Sequence, residues 1–510
     1  MKLVHALFVV VALVGCAGGD ESAVSDRPAG SRGFTQGGAQ DIAQFRAVVA
    51  DGDVPSLELL DQVGFFAEHA LDQPPADCGA SVCAHPMLAV APRFGPGTWT
   101  MGFVSLNTPI DPATRPREPV HLVLAIERTA TVSAVLGNDY EALRSITANL
   151  TSDDRLSVVA FGNGADILVD GAVVEPGTEL DLSTVLRPIG VVTTVDLYAG
   201  IAAASEVIAT VPDITARVVL LTSGASSGGI ADEGRIEELA SAMAREGTSF
   251  SVVGMGDDYR AELPSSIADL GVGTYAFAEN TTDLSQILEQ EGTLRLLPLA
   301  TDVELSVTPA DGYSVGKLYG VKRASVADGV AVLDMPTLFI GARTGADDLG
   351  MGRRGGGGGL FVELVADPAR GDALGPGQLA FTLDGSYFDV DAGRTVTIHQ
   401  EVLNELPAGV RPSEDWPVFS APEYGKAFMM LNMYLALKTT LTQYSAGECG
   451  GALGVGYMMQ PALDEWESRM PDADIHADRL LLDDLETNIY NQCRAEPKPP
   501  SNVELGCFLS

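Results

Sequence analysis

"LVLAIERTATVSA", residues 122–134, runs apolar for five residues, ends in an acid, and then sets two hydroxyls at alternate positions: Glu127, Thr129 and Thr131. An apolar run this short, entered through Val120 and His121, reads as a buried strand rather than a helix. The acid-x-hydroxyl-x-hydroxyl spacing after it has the outline of an oxygen-rich, metal-gripping loop at the carboxyl end of that strand. Its letters are altered, so whether it still holds a metal is the question the rest of the chain has to answer.

Outward from this stretch, residues 119–290 alternate strand and helix. "RLSVVAFG" (155–162), "ARVVLLTSG" (216–224), "SFSVVGMG" (249–256) and "GTYAFAE" (273–279) read as strands, and "ADILVDGAVV" (165–174) as a hairpin arm. "NDYEALRSITANL" (138–150), with Asn138 as its cap, has helical spacing. So do "VDLYAGIAAASEVIATV" (195–211), "GRIEELASAMAREG" (234–247), "YRAELPSSIADLG" (259–271) and "TTDLSQILEQE" (281–291). Apolar strands with helices between them predict a mostly parallel sheet covered on both faces. From 296 to 402 the pattern changes to alternating extended runs, including "TDVELSVTP", "GVAVLDM", "GLFVELVAD", "QLAFTLDG" and "RTVTIHQEV". These predict an antiparallel β-sandwich. Two short helices around Gly52 and Pro55 and extended segments at 87–107 precede the α/β region. "PEYGKAFMMLNMYLALKTTLTQY" (422–444), "LDEWESRM" and "RLLLDDLETNIYNQC" form a helical end, with its methionines as core filler.

The chain has 510 residues, too many for one ordinary core. Hydrophobic residues make up 46% and supply several cores, so the excess of acid is not a disorder signature. Thirty-one basic against 69 acidic residues give a net charge of −38. Such a surface repels nucleic acid and anionic lipid heads, so no nucleic-acid partner is expected. Lys2 and the apolar stretch Leu3 to Val14 read as a targeting segment, too short to span a membrane as a mature helix. It ends in Leu13-Val14-Gly15-Cys16, which resembles the lipobox of bacterial lipoproteins. That resemblance implies cleavage before Cys16 and acylation of its sulfur. Ala17, in place of Asp, implies the outer membrane of the cell envelope as the destination.

Beyond Cys16 the cysteines are Cys78, Cys83, Cys449, Cys493 and Cys507. Disulfides are expected for Cys78–Cys83 and for two of the last three, with Cys449–Cys493 preferred. His69 and His85 flank the first pair and make zinc the alternative there, although Cys-x₄-Cys-x-His is not a common ligand spacing. "GADDLGMGRRGGGGG" lacks the Gly-Lys-Ser/Thr ending and following helix of a phosphate loop and reads as a flexible sheet loop. No G-x-S-x-G or H-E-x-x-H motif is present, and Asp153-Asp154, Asp257-Asp258 and Asp483-Asp484 read as solvated turns and helix ends. No catalysis is expected.

The order of strand, acid-hydroxyl loop, helix, "DDRLSVVAFG", "TTVDLYAGI", "VVLLTSG" and "SFSVVGMG" resembles the von Willebrand factor type A (VWA) domain. The flanks, with "FRAVVADGDVPSLELLDQVGFF", "VGKLYGVKR" and "DDLGMG...GLFVELV", resemble a bacterial subgroup of VWA lipoproteins. The implied segments are a signal (1–16), a flexible tether (17–40), a helical preamble with first β segments (41–118), a VWA domain (119–292), a β-sandwich-like domain (293–405) and a helical C-terminal region (406–510).

VWA domains hold a divalent cation, usually Mg²⁺, through Asp-x-Ser-x-Ser, a Thr and an Asp, leaving one position for a partner's acidic side chain. Carried over, the first acid is Glu127 and the serines are Thr129 and Thr131. The Thr falls on Val195, beside Thr194 and Asp196, and the last Asp on Ser223. One carboxylate and three hydroxyls remain, a set that competes poorly with water for Mg²⁺. The resemblance therefore implies a degenerate face without a cofactor, with Mg²⁺ on Glu127, Thr129 and Thr131 as the alternative. The expected function is protein–protein interaction by a lipid-anchored envelope protein whose partner is an envelope or extracellular protein. A scaffold making its contacts through the C-terminal helices is the alternative.

Overall fold

The computed structural model describes residues 32–37, 42–71, 73–92, 98–111, 115, 118–137, 140–148, 150–174, 182–186, 190–256, 259–270, 273–293, 298–340, 358–367, 375–405, 418–419 and 424–495. Asn138, Asp257, Asp258, Cys16, Cys507 and residues 345–357 of the glycine-rich insert lie outside them.

Strands β4 (Val120–Glu127), β5 (Arg155–Phe161), β6 (Ala165–Ala172), β7 (Thr215–Thr222), β8 (Ser249–Met255) and β9 (Tyr275–Ala278) form a six-stranded sheet. Its order is β6-β5-β4-β7-β8-β9. Every neighbouring pair is parallel except β5–β6. Val123, Ala125, Val218 and Leu220 point to one face, under helices α6 (Leu197–Ala209), α7 (Glu233–Arg245) and α8 (Glu262–Leu270). Leu122, Leu124, Ile126, Val219 and Leu221 point to the other, under α3 (Ala130–Leu136), α4 (Glu141–Thr147) and α9 (Thr281–Thr293); a short helix, α5 (Leu182–Leu186), packs there too. Burial on both faces is why these strands read as continuous apolar runs. The chain turns to one side of β4 for β5 and to the other for β7, so the carboxyl ends of β4 and β7 meet at a topological switch point, where α/β sheets leave a crevice. The fold class is α/β, a doubly wound, Rossmann-like sheet joined to an antiparallel sandwich.

The sandwich draws strands from both ends of the chain. β1 (Arg32–Gln36), β2 (Cys83–Pro92) and β3 (Thr98–Thr108) join β10 (Ala300–Pro309), β11 (Tyr313–Tyr319), β12 (Arg323–Ala327), β13 (Val330–Ile340), β14 (Leu360–Ala366), β15 (Leu379–Asp389), β16 (Arg394–Leu403) and β17 (Val418–Phe419). The path β11-β14-β3-β1-β13-β10-β15-β16 folds back on itself. Leu88, Val104 and Leu360 of one half share a core with Leu305, Leu333 and Phe381 of the other. Gly102 of β3 is open for the Phe381 ring, which a Cβ there would meet at 3.1 Å. Two sequence expectations are corrected. Arg32–Gln36, placed in the tether, is a strand with Phe34 buried, because backbone pairing to β3 and β13 needs no periodic apolar pattern. The extended segments of 41–118 form no unit apart from 293–405, because their hydrogen-bonding partners lie in it.

The half-sheet β2-β3-β14 turns its second face, with Met87, Met101, Phe103 and Phe361, to helices α1 (Ala43–Ala50), α2 (Gln62–Ala67), α10 (Tyr424–Ser445), α11 (Cys449–Arg469) and α12 (Ala473–Ala495). A buried ionic cluster ties the two chain ends together. Arg46 donates to Glu68 at 2.8 Å and to Asp478 at 3.2 Å; His69 meets Asp478 at 2.7 Å. Lys426 meets Asp472 at 2.7 Å and Asp474 at 2.8 Å. Disulfides join Cys78 to Cys83 and Cys449 to Cys493. His69 is committed to Asp478 and the Phe65 carbonyl, and His85 to Asn107, so neither histidine turns to the Cys78–Cys83 sulfurs. No described helix is long and apolar enough to cross a membrane.

Candidate functional site

Strand β4 delivers Glu127 to the carboxyl edge of the sheet, with its side chain folded inward and 1% exposed. Four donors converge on it. Oε1 accepts from Thr129 Oγ1 and from Ser223 Oγ, both at 2.6 Å. Oε2 accepts from Thr222 Oγ1 at 2.7 Å and from the Ser223 N–H at 2.8 Å. Two of the three hydroxyls are themselves doubly engaged. Thr129 Oγ1 also caps α3 by accepting from Val132 N–H, and Thr222 Oγ1 accepts from Gly224 N–H at 3.0 Å. Gly224 adopts φ +76°, and a Cβ there would stand 2.0 Å from the Arg260 carbonyl oxygen. The loops after β7 and β8 thus close over each other, and only glycine permits it.

The other residues singled out from the sequence separate. Thr131 lies in the first turn of α3, exposed, with its methyl against Gly256. Thr194 is exposed and donates its hydroxyl to Asn163 Oδ1. Val195 is 2% exposed in the core under α6, while its N–H donates to Ser227 Oγ at 3.1 Å. Asp196 caps α6 by accepting from Ala199 N–H at 2.9 Å. Val192 pairs with Thr129 and fills the space over Gly162, where a Cβ would come within 2.3 Å of its Cγ2. The expected face is therefore corrected: Glu127 and Val195 lie beneath it. An extra methylene carries the Glu127 carboxylate to the start of the β7 loop, and an apolar side chain at 195 gains by burial. Thr131, Thr194 and the neighbouring Val191, 61% exposed, form its surface.

Thr222, Asn163 and Ser227 escaped the sequence reading. Thr222 stands beside Ser223 in "LLTSG", and an apolar strand ending in a hydroxyl at the level of Glu127 was the available signal; Asn163 and Ser227 had none. Asp154, read as a solvated turn, is fully buried and accepts from Val120 N–H and Thr151 N–H, joining the start of β4 to the turn before β5.

As arranged, this set does not fit a hard divalent cation. Such an ion needs oxygen lone pairs with compensating negative charge. Here the single carboxylate faces four N–H and O–H hydrogens, and the Val195 side chain has no oxygen. Among the described residues no group of three His, Cys, Asp or Glu side chains could hold a metal.

No protein-family model matches the chain. A stretch of 92 residues is 28% identical to the uncharacterized protein YfbK of Escherichia coli, covering 18% of this chain and 16% of that protein. Among solved structures, the chain is similar to the von Willebrand factor type A protein from Catenulispora acidiphila at 12% identity and a TM-score of 0.46, covering 80% of this chain and 96% of that one. It is also similar to the ArnB paralog VWA2 from Sulfolobus acidocaldarius at 13% identity and a TM-score of 0.43, covering 81% and 98%. Both likenesses are distant, so the fold stands on this chain's own strand order. In that order, β4 to β9 form a doubly wound α/β sheet with Glu127 and Ser223 facing each other across its switch point.

Proposed function

We propose that this protein is a non-enzymatic, lipid-anchored component of the cell envelope that binds another protein through the carboxyl-end loops of its VWA-type domain, without a bridging metal ion. The observation that carries the reading is the saturated Glu127 carboxylate. Its four hydrogen bonds join the loops after β4 and β7 in the way a cation would, so the face keeps its shape and loses its ionic clasp. The partner then meets hydroxyls and the exposed Val191 rather than a charge. Acylation at Cys16 would hold the domain to the outer membrane, since each buried CH₂ contributes roughly 0.8 kcal/mol.

The test is calorimetric titration of the mature protein with Mg²⁺, Mn²⁺ and Ca²⁺, with Glu127→Ala alongside. The expected result is no saturable heat below about millimolar metal. Micromolar binding that disappears in Glu127→Ala would overturn the metal-free reading. Mass spectrometry of the N-terminal peptide reads the anchor directly: an unmodified Cys16 in mature protein rules it out.

A further inference from the structure

We propose a second docking surface on the sandwich: the rim between β2 and β16, which takes an extended, lysine- or arginine-bearing segment of a partner protein as an added strand. β16 is ten residues long and pairs with β15 alone among the described strands. Opposite it, β2 pairs along its whole length with β3, and among the described strands its outer side carries only the two residues of β17, at Ala89 and Val90. The two edges face each other across the open side of the sandwich, spanned by Gln400 Nε2 donating to the Ala84 carbonyl at 2.8 Å. β1 closes the opposite side by pairing with both β3 and β13. A ten-residue edge left unpaired among the described residues is a template for strand addition, with main-chain hydrogen bonds giving affinity and side-chain pockets giving selectivity.

Two further features choose the occupant. A groove of about 160 Å³ lies between the edges; its accessible lining is mostly polar, with the buried Met87, Leu88 and Val402 beneath. Alternate side chains of an added strand point into such a groove. Glu401 and Glu405 line it, both exposed and neither in an ion pair among the described residues. Two exposed carboxylates, of which Glu401 also faces the charge of His399, on a chain of net charge −38 repel an acidic strand and favour a basic one. β17 shows that this rim already accepts an antiparallel strand, for two residues only.

The probe is a synthetic eight-residue peptide of alternating valine and lysine, with an otherwise identical valine–glutamate peptide as control, added to the full mature protein. Hydrogen exchange and fluorescence anisotropy are read with wild type and with the doubly substituted Glu401→Lys, Glu405→Lys protein. Both positions are exposed, so the variant is expected to fold, and its circular dichroism melt checks that. The lysine peptide should slow exchange in residues 394–403, bind at least about tenfold more tightly than the glutamate peptide, and lose about tenfold in affinity in the variant. Equal binding of the two peptides, protection confined to the VWA loops, or no protection in 394–403 would overturn the proposal. So would concentration-dependent dimerisation that itself protects β16, because the occupant would then be a second copy. Metal titration of Glu127 is unaffected by any of these outcomes, so this surface and the VWA face stand or fall separately.

Discussion

Ser223 holds Glu127 twice: its N–H donates to Oε2 at 2.8 Å and its hydroxyl to Oε1 at 2.6 Å, linking the end of β7 to the end of β4 across the switch point. The contact is a charge-assisted pair in a buried setting, where hydrogen bonds to a carboxylate are strongest. It ties the loop after β7 to the loop after β4.

Glu127→Gln is expected to destabilise the protein by about 2–3 kcal/mol, because an amide NH₂ would face donors and leave them buried without an acceptor. Ser223→Ala should cost about 1–2 kcal/mol. The two belong to one network, so urea denaturation of the double variant should show a loss clearly smaller than the sum. An additive double variant would show that the four bonds do not act as a unit.

His121 is fully buried, with Nε2 against Ser157 Oγ at 2.8 Å. Burial pushes its pKa below the ordinary histidine value, helped by Arg155 and opposed by Asp170. The unfolded chain therefore binds a proton that the folded chain refuses, and stability falls as pH drops below about 6.5. Unfolding free energies at about pH 7.5 and 5.5 should differ more in wild type than in His121→Asn. His399 works in the opposite sense, raised by its hydrogen bond to Asp384, but it is exposed and contributes little. A pH slope unchanged by His121→Asn would refute the assignment.

Glu486 sets a second, opposing window. Its carboxyl lies between α11 and α12, accepting from Gly456 N–H at 2.8 Å, and burial with the nearby Asp483 pushes it up to about 7. The folded state then holds a proton that the unfolded state releases, so this contribution is present in acid and lost as pH rises from about 4.5 to about 7. Glu486→Gln should raise the melting temperature above pH 7 and have little effect near pH 5. The reverse ordering would place the carboxylate in a solvated setting.

Cys449–Cys493 closes a loop with a sequence separation of 44, and Cys78–Cys83 one of 5. On loop-closure entropy the first stabilises by about 4 kcal/mol and the second by about 2 kcal/mol. Replacing Cys449 and Cys493 by serine should therefore lower the denaturation midpoint more than the same change at Cys78 and Cys83. Equal losses would mean that strain or residual unfolded structure outweighs loop length.

The helices around Gly52 and Pro55, the parallel strands and the Cys449–Cys493 preference were legible because each has a local signal: apolar period, punctuating residue or cysteine spacing. Strand β1 was not, since "RGFTQ" carries one aromatic and takes its order from neighbours far along the chain. Strands β11 and β12 were missed as strands for a related reason: β11 is mostly half-buried and β12 largely exposed, so neither shows a clean apolar alternation and pairing defines them. Asp154 failed in the other direction, because an acidic pair before a strand gives no sign that one carboxylate closes a buried turn.

By itself the sequence determined the alternation of strand and helix, the antiparallel run after it, and the altered letters at Glu127, Thr129, Thr131, Val195 and Ser223, because each is a matter of local periodicity or side-chain chemistry. Only the tertiary structure decided that Glu127 turns inward to four donors, that strands from both ends of the chain share one sandwich, and that Arg46, His69, Lys426 and three aspartates lock the two ends together. The reason is physical: hydrogen-bond saturation and strand pairing depend on which distant residues arrive at the same place, and no spacing along the chain records that arrival.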